Sequence, residues 1–158
     1  MDSNSVLLLA DSKIKVLEEY NRITQQIAFE ETEPELINVL LEDRQALLDE
    51  LVRINLDIAD AVKLCDNPQA AEELIISFKG LDGEPPEGME ELYAKGDRIK
   101  GLTATIKRVD RKIGEKLEAL KAELTALMSE TGKKKKVIDY FSQTTVDISK
   151  GGKLNGAS

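Results

Sequence analysis

Apolar residues recur at alternating steps of three and four along two long stretches of the chain. Leu40, Leu47, Leu51, Ile54, Ile58, Ala61 and Cys65 form one series, and Ile99, Leu102, Ile106, Val109, Ile113, Leu117, Leu120, Leu124 and Leu127 form the other. A helix turns about 100° per residue, so each series makes a single seam that must lie against another helix. A third, broader stripe precedes them, with Val6, Leu9, Val16, Tyr20, Ile23 and Ile27 on one face and Ala10, Ile14 and Leu17 beside it. Lys13 interrupts that stripe. Its breadth suits contact with two helices at once, which points to a bundle more than to a two-stranded coil.

The punctuation between these seams sets the predicted elements. A first helix is expected over about 5–29. Thr32 followed by Glu35, with Pro34 between them, has the S/T-x-x-E form of a capped helix start and predicts a second helix over 34–66. Asn67-Pro68 ends it, since the residue before a proline is pushed out of helical geometry. A short helix is expected over 68–79, and the turn-rich, acidic segment Gly80 to Gly88 is a loop. The last long helix spans about 89–131, with Gly96, Gly101 and Gly114 inside it and Gly132 as its stop. The glycines mark close helix approach or bends. The seam steps by four twice in succession at Val109, Ile113 and Leu117, which locally relaxes any supercoil.

The predicted fold is therefore all-α: an elongated antiparallel helical bundle, or coiled-coil hairpin, of three long helices and one short one. Residues 1–132 form the bundle domain and residues 133–158 a basic, Gly/Ser-containing flexible tail. Lys133 to Lys136 reads as a solvated run at a helix C-terminus, and Val137 to Phe141 as an apolar group able to dock on the bundle or on a partner.

Composition narrows the chemistry. The chain has 158 residues, 41% of them hydrophobic, 33% charged and only 4% aromatic, which fits aliphatic seams with charged outer faces. It has no histidine, so the usual general base near neutral pH and the commonest metal ligand are missing and no Ser/His/Asp triad can form. Its single cysteine, Cys65, rules out an internal disulfide and a thiolate cluster; its place on a seam makes it a small buried hydrophobe. No phosphate-binding glycine loop occurs, and carboxylate pairs such as Glu30-Glu31 and Glu72-Glu73 read as solvation. The expectation is a protein that is not an enzyme and takes no cofactor or metal. No apolar run approaches the roughly 20 residues of a membrane span, so neither membrane insertion nor secretion is expected, and the location expected is cytoplasmic.

The net charge of −8 is unevenly spread: residues 1–91 carry 7 basic and 22 acidic side chains, a net −15, while residues 92–158 carry 15 and 8, a net +7. This split favours folding the basic last helix onto the acidic part of the chain. Cancellation by those acids, and the lack of interleaved aromatics, argue against a nucleic-acid surface.

A small acidic chain with an N-terminal helix, then Leu40-Leu-Glu-Asp-Arg-Gln-Ala-Leu-Leu-Asp-Glu-Leu51, then a long amphipathic helix and the tail Gly132-Lys-Lys-Lys-Lys-Val-Ile-Asp-Tyr140, resembles the FliT/FlgN class of flagellar export chaperones. The acidic loop at Gly80 to Gly88 and the stretch beyond Phe141 depart from that class. The resemblance implies a cytoplasmic chaperone, a monomer or weak homodimer, that reversibly binds the amphipathic C-terminal helix of a flagellar axial protein (filament cap or hook–filament junction) and touches the export apparatus. Its binding face would be Leu102, Ile106, Val109, Ile113, Leu117, Leu120 and Leu124. The alternatives are that these residues are internal core, or that the chain is a coiled-coil scaffold or self-assembling structural protein.

Overall fold

The computed structural model describes residues 3–127, and the helical class read from the seams is what it shows. Four helices, α1 (Ser3–Phe29), α2 (Pro34–Lys63), α3 (Pro68–Ile75) and α4 (Glu90–Leu127), are joined by short connections, with one 3₁₀ turn at Lys79–Asp82 and no strand among the described residues. The expected tail, its lysine run and the stop at Gly132 lie outside the described residues.

α1 is the middle of the bundle and packs extensively on both α2 and α4. α2 runs back along α1 after a four-residue turn. The links between α1 and α4 climb both helices together, from Lys95 on Asp11 (2.5 Å) to Arg98 on Glu18 (3.0 Å) to Lys116 on the carbonyls of Ile27 and Glu30 (2.6 Å each), so α4 runs parallel to α1. The basic last helix thus answers the acids of α1, its main partner. Lys13 does not break the α1 face: it is folded into it, 2% exposed, beside the buried Ala10, Val16 and Leu17.

Several boundaries differ from those the sequence suggests. α2 begins at Pro34 as expected, but Glu33 is its N-cap residue and no side chain caps it; the Thr32 hydroxyl turns back to donate to the Glu30 carbonyl at 3.3 Å. Proline at the first helical position fixes the backbone there, which leaves Thr32 one residue too early to cap. α2 ends at Lys63 because its last turn tightens, Leu64 and Cys65 bonding back to Ala61 and Val62. α3 is capped by the Asn67 side chain, which accepts from the Ala70 N–H at 3.2 Å, and it stops at Ile75, four residues short. There the Ile76 and Ser77 N–H groups share the Glu72 carbonyl and Phe78 adopts a left-handed φ of 64°. The turn that follows brings Leu81 into the core, where the Tyr93 hydroxyl donates to its carbonyl at 2.9 Å.

Lys13 carries a measurable consequence. It makes no ion pair with a described residue, and burial pushes its ammonium down to about 8. Its folded value lies below its unfolded one, so the charged form is disfavoured by folding. Above pH 10.5 the side chain is neutral in both states and costs nothing; as pH falls through 10.5 toward 8 the unfolded chain gains the proton first and stability drops. At about 1.4 kcal/mol per pH unit the penalty below pH 8 is about 3 kcal/mol. Lys13→Met is expected to raise stability at pH 7 by about 2–3 kcal/mol and to flatten the slope between pH 8 and 10, read by urea denaturation across that range.

Candidate partner-binding surface

The seam of α4 is filled from its first turn by the chain's own helices. Leu102 and Ile106 lie in a proximal core with Leu17 of α1 and Leu51, Ile54 and Ile58 of α2. Ile113 and Leu117 lie in a distal core with Ile23, Ile27, Ile37, Leu40 and Leu41, and Val109 is buried between the two. Five of the seven residues expected to face a partner, Leu102, Ile106, Val109, Ile113 and Leu117, are therefore buried within the chain's own bundle. Leu120 and Leu124 are half-buried at the edge of the distal core.

That change along one helix has a simple cause. Lys116 caps the C-terminal carbonyls of α1 at Ile27 and Glu30, so α4 still has residues 117–127 to run when α1 ends. These residues extend about 16 Å at 1.5 Å each. The seam continues on them, ending at Leu127, which is 70% exposed. At the same end of the bundle, Phe29 closes α1 and Leu36 and Val39 open α2, all three exposed. The connecting turn adds the acids Glu30, Glu31, Glu33 and Glu35, all exposed. The distal end is thus an apolar set ringed by carboxylates, and α4 projects from it.

The two cores are separated by a polar layer that sequence reasoning missed. Arg44 of α2 is buried, donating to Asp110 Oδ1 of α4 at 2.6 Å and to Thr24 Oγ1 of α1 at 3.1 Å. The Thr24 hydroxyl in turn donates to the Tyr20 carbonyl at 2.7 Å, and the guanidinium lies 4.9 Å from the centre of the Tyr20 ring. Burial pushes the Tyr20 hydroxyl up to about 12, and it also raises the Asp110 carboxyl above its ordinary range, outweighing the attraction of Arg44. The available signal is position: Arg44 stands on the face shared by Leu40, Leu41 and Leu51, where only apolar residues are expected.

Removing one partner of a buried pair strands the other, whereas replacing both by apolar side chains of similar volume removes the desolvation cost as well. Asp110→Ala is expected to lose about 3–5 kcal/mol in chemical denaturation, and Arg44→Met with Asp110→Leu to recover most of it. A loss in the double variant equal to the sum of the losses of Arg44→Met and Asp110→Leu taken singly would show that the pair is not coupled.

Among the described residues no group of three or more cysteines, aspartates or glutamates is placed to hold a metal ion, and no helix is long and apolar enough to cross a membrane. Compared with family models, curated proteins and solved structures, the chain matches none of them.

Proposed function

We propose that this chain binds a helix of another protein at the distal end of its bundle, in the manner of a cytoplasmic export chaperone. The observation that carries the reading is the unequal coverage of the α4 seam, complete as far as Leu117, partial at Leu120 and Leu124 and lost at Leu127. An amphipathic helix laid on the projecting segment would continue the packing that α1 supplies further down, and a contact of this length is small enough to be reversible. The polar layer keeps the proximal core separate, so a partner at the distal end need not disturb the rest of the bundle. In its finer form the partner is the C-terminal helix of a flagellar axial protein, released to an export apparatus. That form rests on the resemblance of the Leu40 to Leu51 segment.

The test pairs binding with folding. Leu120→Asp combined with Leu124→Asp should keep far-UV helicity and lower the unfolding transition far less than Ile113→Asp does, because both sites are half-open to water. It should also abolish formation of a one-to-one complex with a peptide spanning the C-terminal helix of an axial protein, measured by size-exclusion chromatography with light scattering. A salt-resistant oligomer of the chain alone that the double variant dissolves, with no affinity for the peptide, would assign the surface to self-assembly instead.

A further inference from the structure

At the end of the bundle opposite the projecting segment lies a cavity of about 290 Å³, bordered by the start of α1, the α2–α3 junction, the loop before α4 and the first turn of α4. Its apolar wall includes Leu7 and Met89 over the buried Ala71 and Leu92, and its charged residues are the acids Asp66, Glu87 and Glu91, with no basic side chain among the described residues. Neither Glu87 nor Glu91 forms an ion pair with a described residue.

The loop that forms one side is held by its own bonds. Gly88 takes a φ of +83°, its N–H donates to the Glu90 carboxylate at 3.1 Å, and the Met89 N–H bonds back to the Pro86 carbonyl at 3.0 Å. The cavity is therefore present before any ligand arrives. Its volume of about 290 Å³ suits a small ligand or a single long side chain. That is the low end of ligand pockets, too small for a nucleotide.

We infer that this cavity is a binding site for an aliphatic chain ending in a cation, either a free alkylammonium or the side chain of a lysine or arginine on a peptide. The alkyl part covers the half-buried Leu7 and Met89, and the ammonium or guanidinium meets Glu87 and Glu91 at the rim. An aliphatic acid of the same length is rejected, because its carboxylate would face uncompensated carboxylates.

The experiment titrates the full chain, with its Leu7 and Met89 methyl groups observed by NMR, against hexylammonium, hexanoate and the blocked dipeptides acetyl-Leu-Lys-amide and acetyl-Leu-Glu-amide. Saturable shifts confined to these methyls with hexylammonium or the lysine dipeptide, and none with hexanoate or the glutamate dipeptide, are expected. The tighter of the two cations identifies the source. Cys65 is the only cysteine, is partly exposed and lines the cavity, so the rate at which a neutral disulfide reagent labels it provides a second readout, expected to slow at least tenfold at saturation. In the variant Glu87→Gln with Glu91→Gln the selectivity for cations should vanish while the melting temperature is unchanged. Equal shifts from hexylammonium and hexanoate, or none from either cation, would overturn the assignment.

Discussion

Ile113→Asp is expected to unfold the chain rather than to expose or disable a binding face. Ile113 is fully buried in the distal core, between α1 and α2. Removing its side chain from that environment forfeits about 2 kcal/mol of burial, and placing an unpaired carboxylate there costs several more even after the group takes up a proton. The distal core is the smaller of the two and has few neighbours to rearrange. The sum is about 5 kcal/mol or more, comparable to the whole stability of a domain this size. Far-UV circular dichroism should show most of the helical signal lost at 25 °C, whereas Ile113→Val should lose only about 1 kcal/mol. A variant Ile113→Asp that retained a wild-type melting transition would mean that α4 does not pack as described. The contrast with Leu124→Asp, eleven residues further along the same seam, is the sharpest available measure of where α4 leaves the bundle.

Gly96→Ala is expected to reverse the usual order of helix propensity. In an open helix, alanine is favoured over glycine by about 1 kcal/mol, and Gly101→Ala and Gly114→Ala should gain about that much each, since an added Cβ meets nothing within 4 Å at either site. At Gly96 the added Cβ would stand 2.1 Å from the Leu74 carbonyl oxygen and 3.1 Å from its carbon, both backbone atoms with no rotamer to yield. The end of α3 would have to move off α4. Ala71, Leu74 and Ile75 are buried by that contact, and two large aliphatic side chains are worth about 1.5–3 kcal/mol each when fully covered. Partial undocking should therefore cost about 2–4 kcal/mol net of the propensity gain. Thermal unfolding should place this variant below the wild type and the other two above it, and hydrogen exchange should accelerate within 68–82. If all three alanines stabilise alike, α3 does not rest on Gly96.

These two sites show where reading the chain succeeds and where it stops. Ile113 belongs to a seam because of its spacing from Val109 and Leu117, and spacing is enough to say that this face is covered. Spacing does not say by what, and the covering helices α1 and α2 belong to the chain itself. Gly96, Gly101 and Gly114 look alike in sequence; only the arrival of the Leu74 carbonyl from a short helix about twenty residues earlier separates the first from the others. Thr32 fails as a cap for a local reason, the proline two residues on, and Phe78 ends α3 early because Leu81 is drawn into the core.

The proposed surface follows the same division. Periodicity marks Leu120 and Leu124 together with five residues that are internal, and the difference between the groups is the length of α1, which ends opposite Lys116. Arg44 and Asp110 lie 66 residues apart, and their pairing requires α2 and α4 to meet alongside α1. The cavity near Glu87 joins residues from four segments, none of which carries a motif.

Helix class, approximate element limits and the presence of buried faces are legible because each depends on neighbours within one or two turns, where 3.6-residue geometry converts spacing directly into position. Which helix covers which, where coverage runs out, and which polar groups meet depend on contacts between distant segments. Several packings of amphipathic helices bury similar apolar area, so the choice among them comes from close approach at Gly96, the Arg44 layer and the relative lengths of α1 and α4.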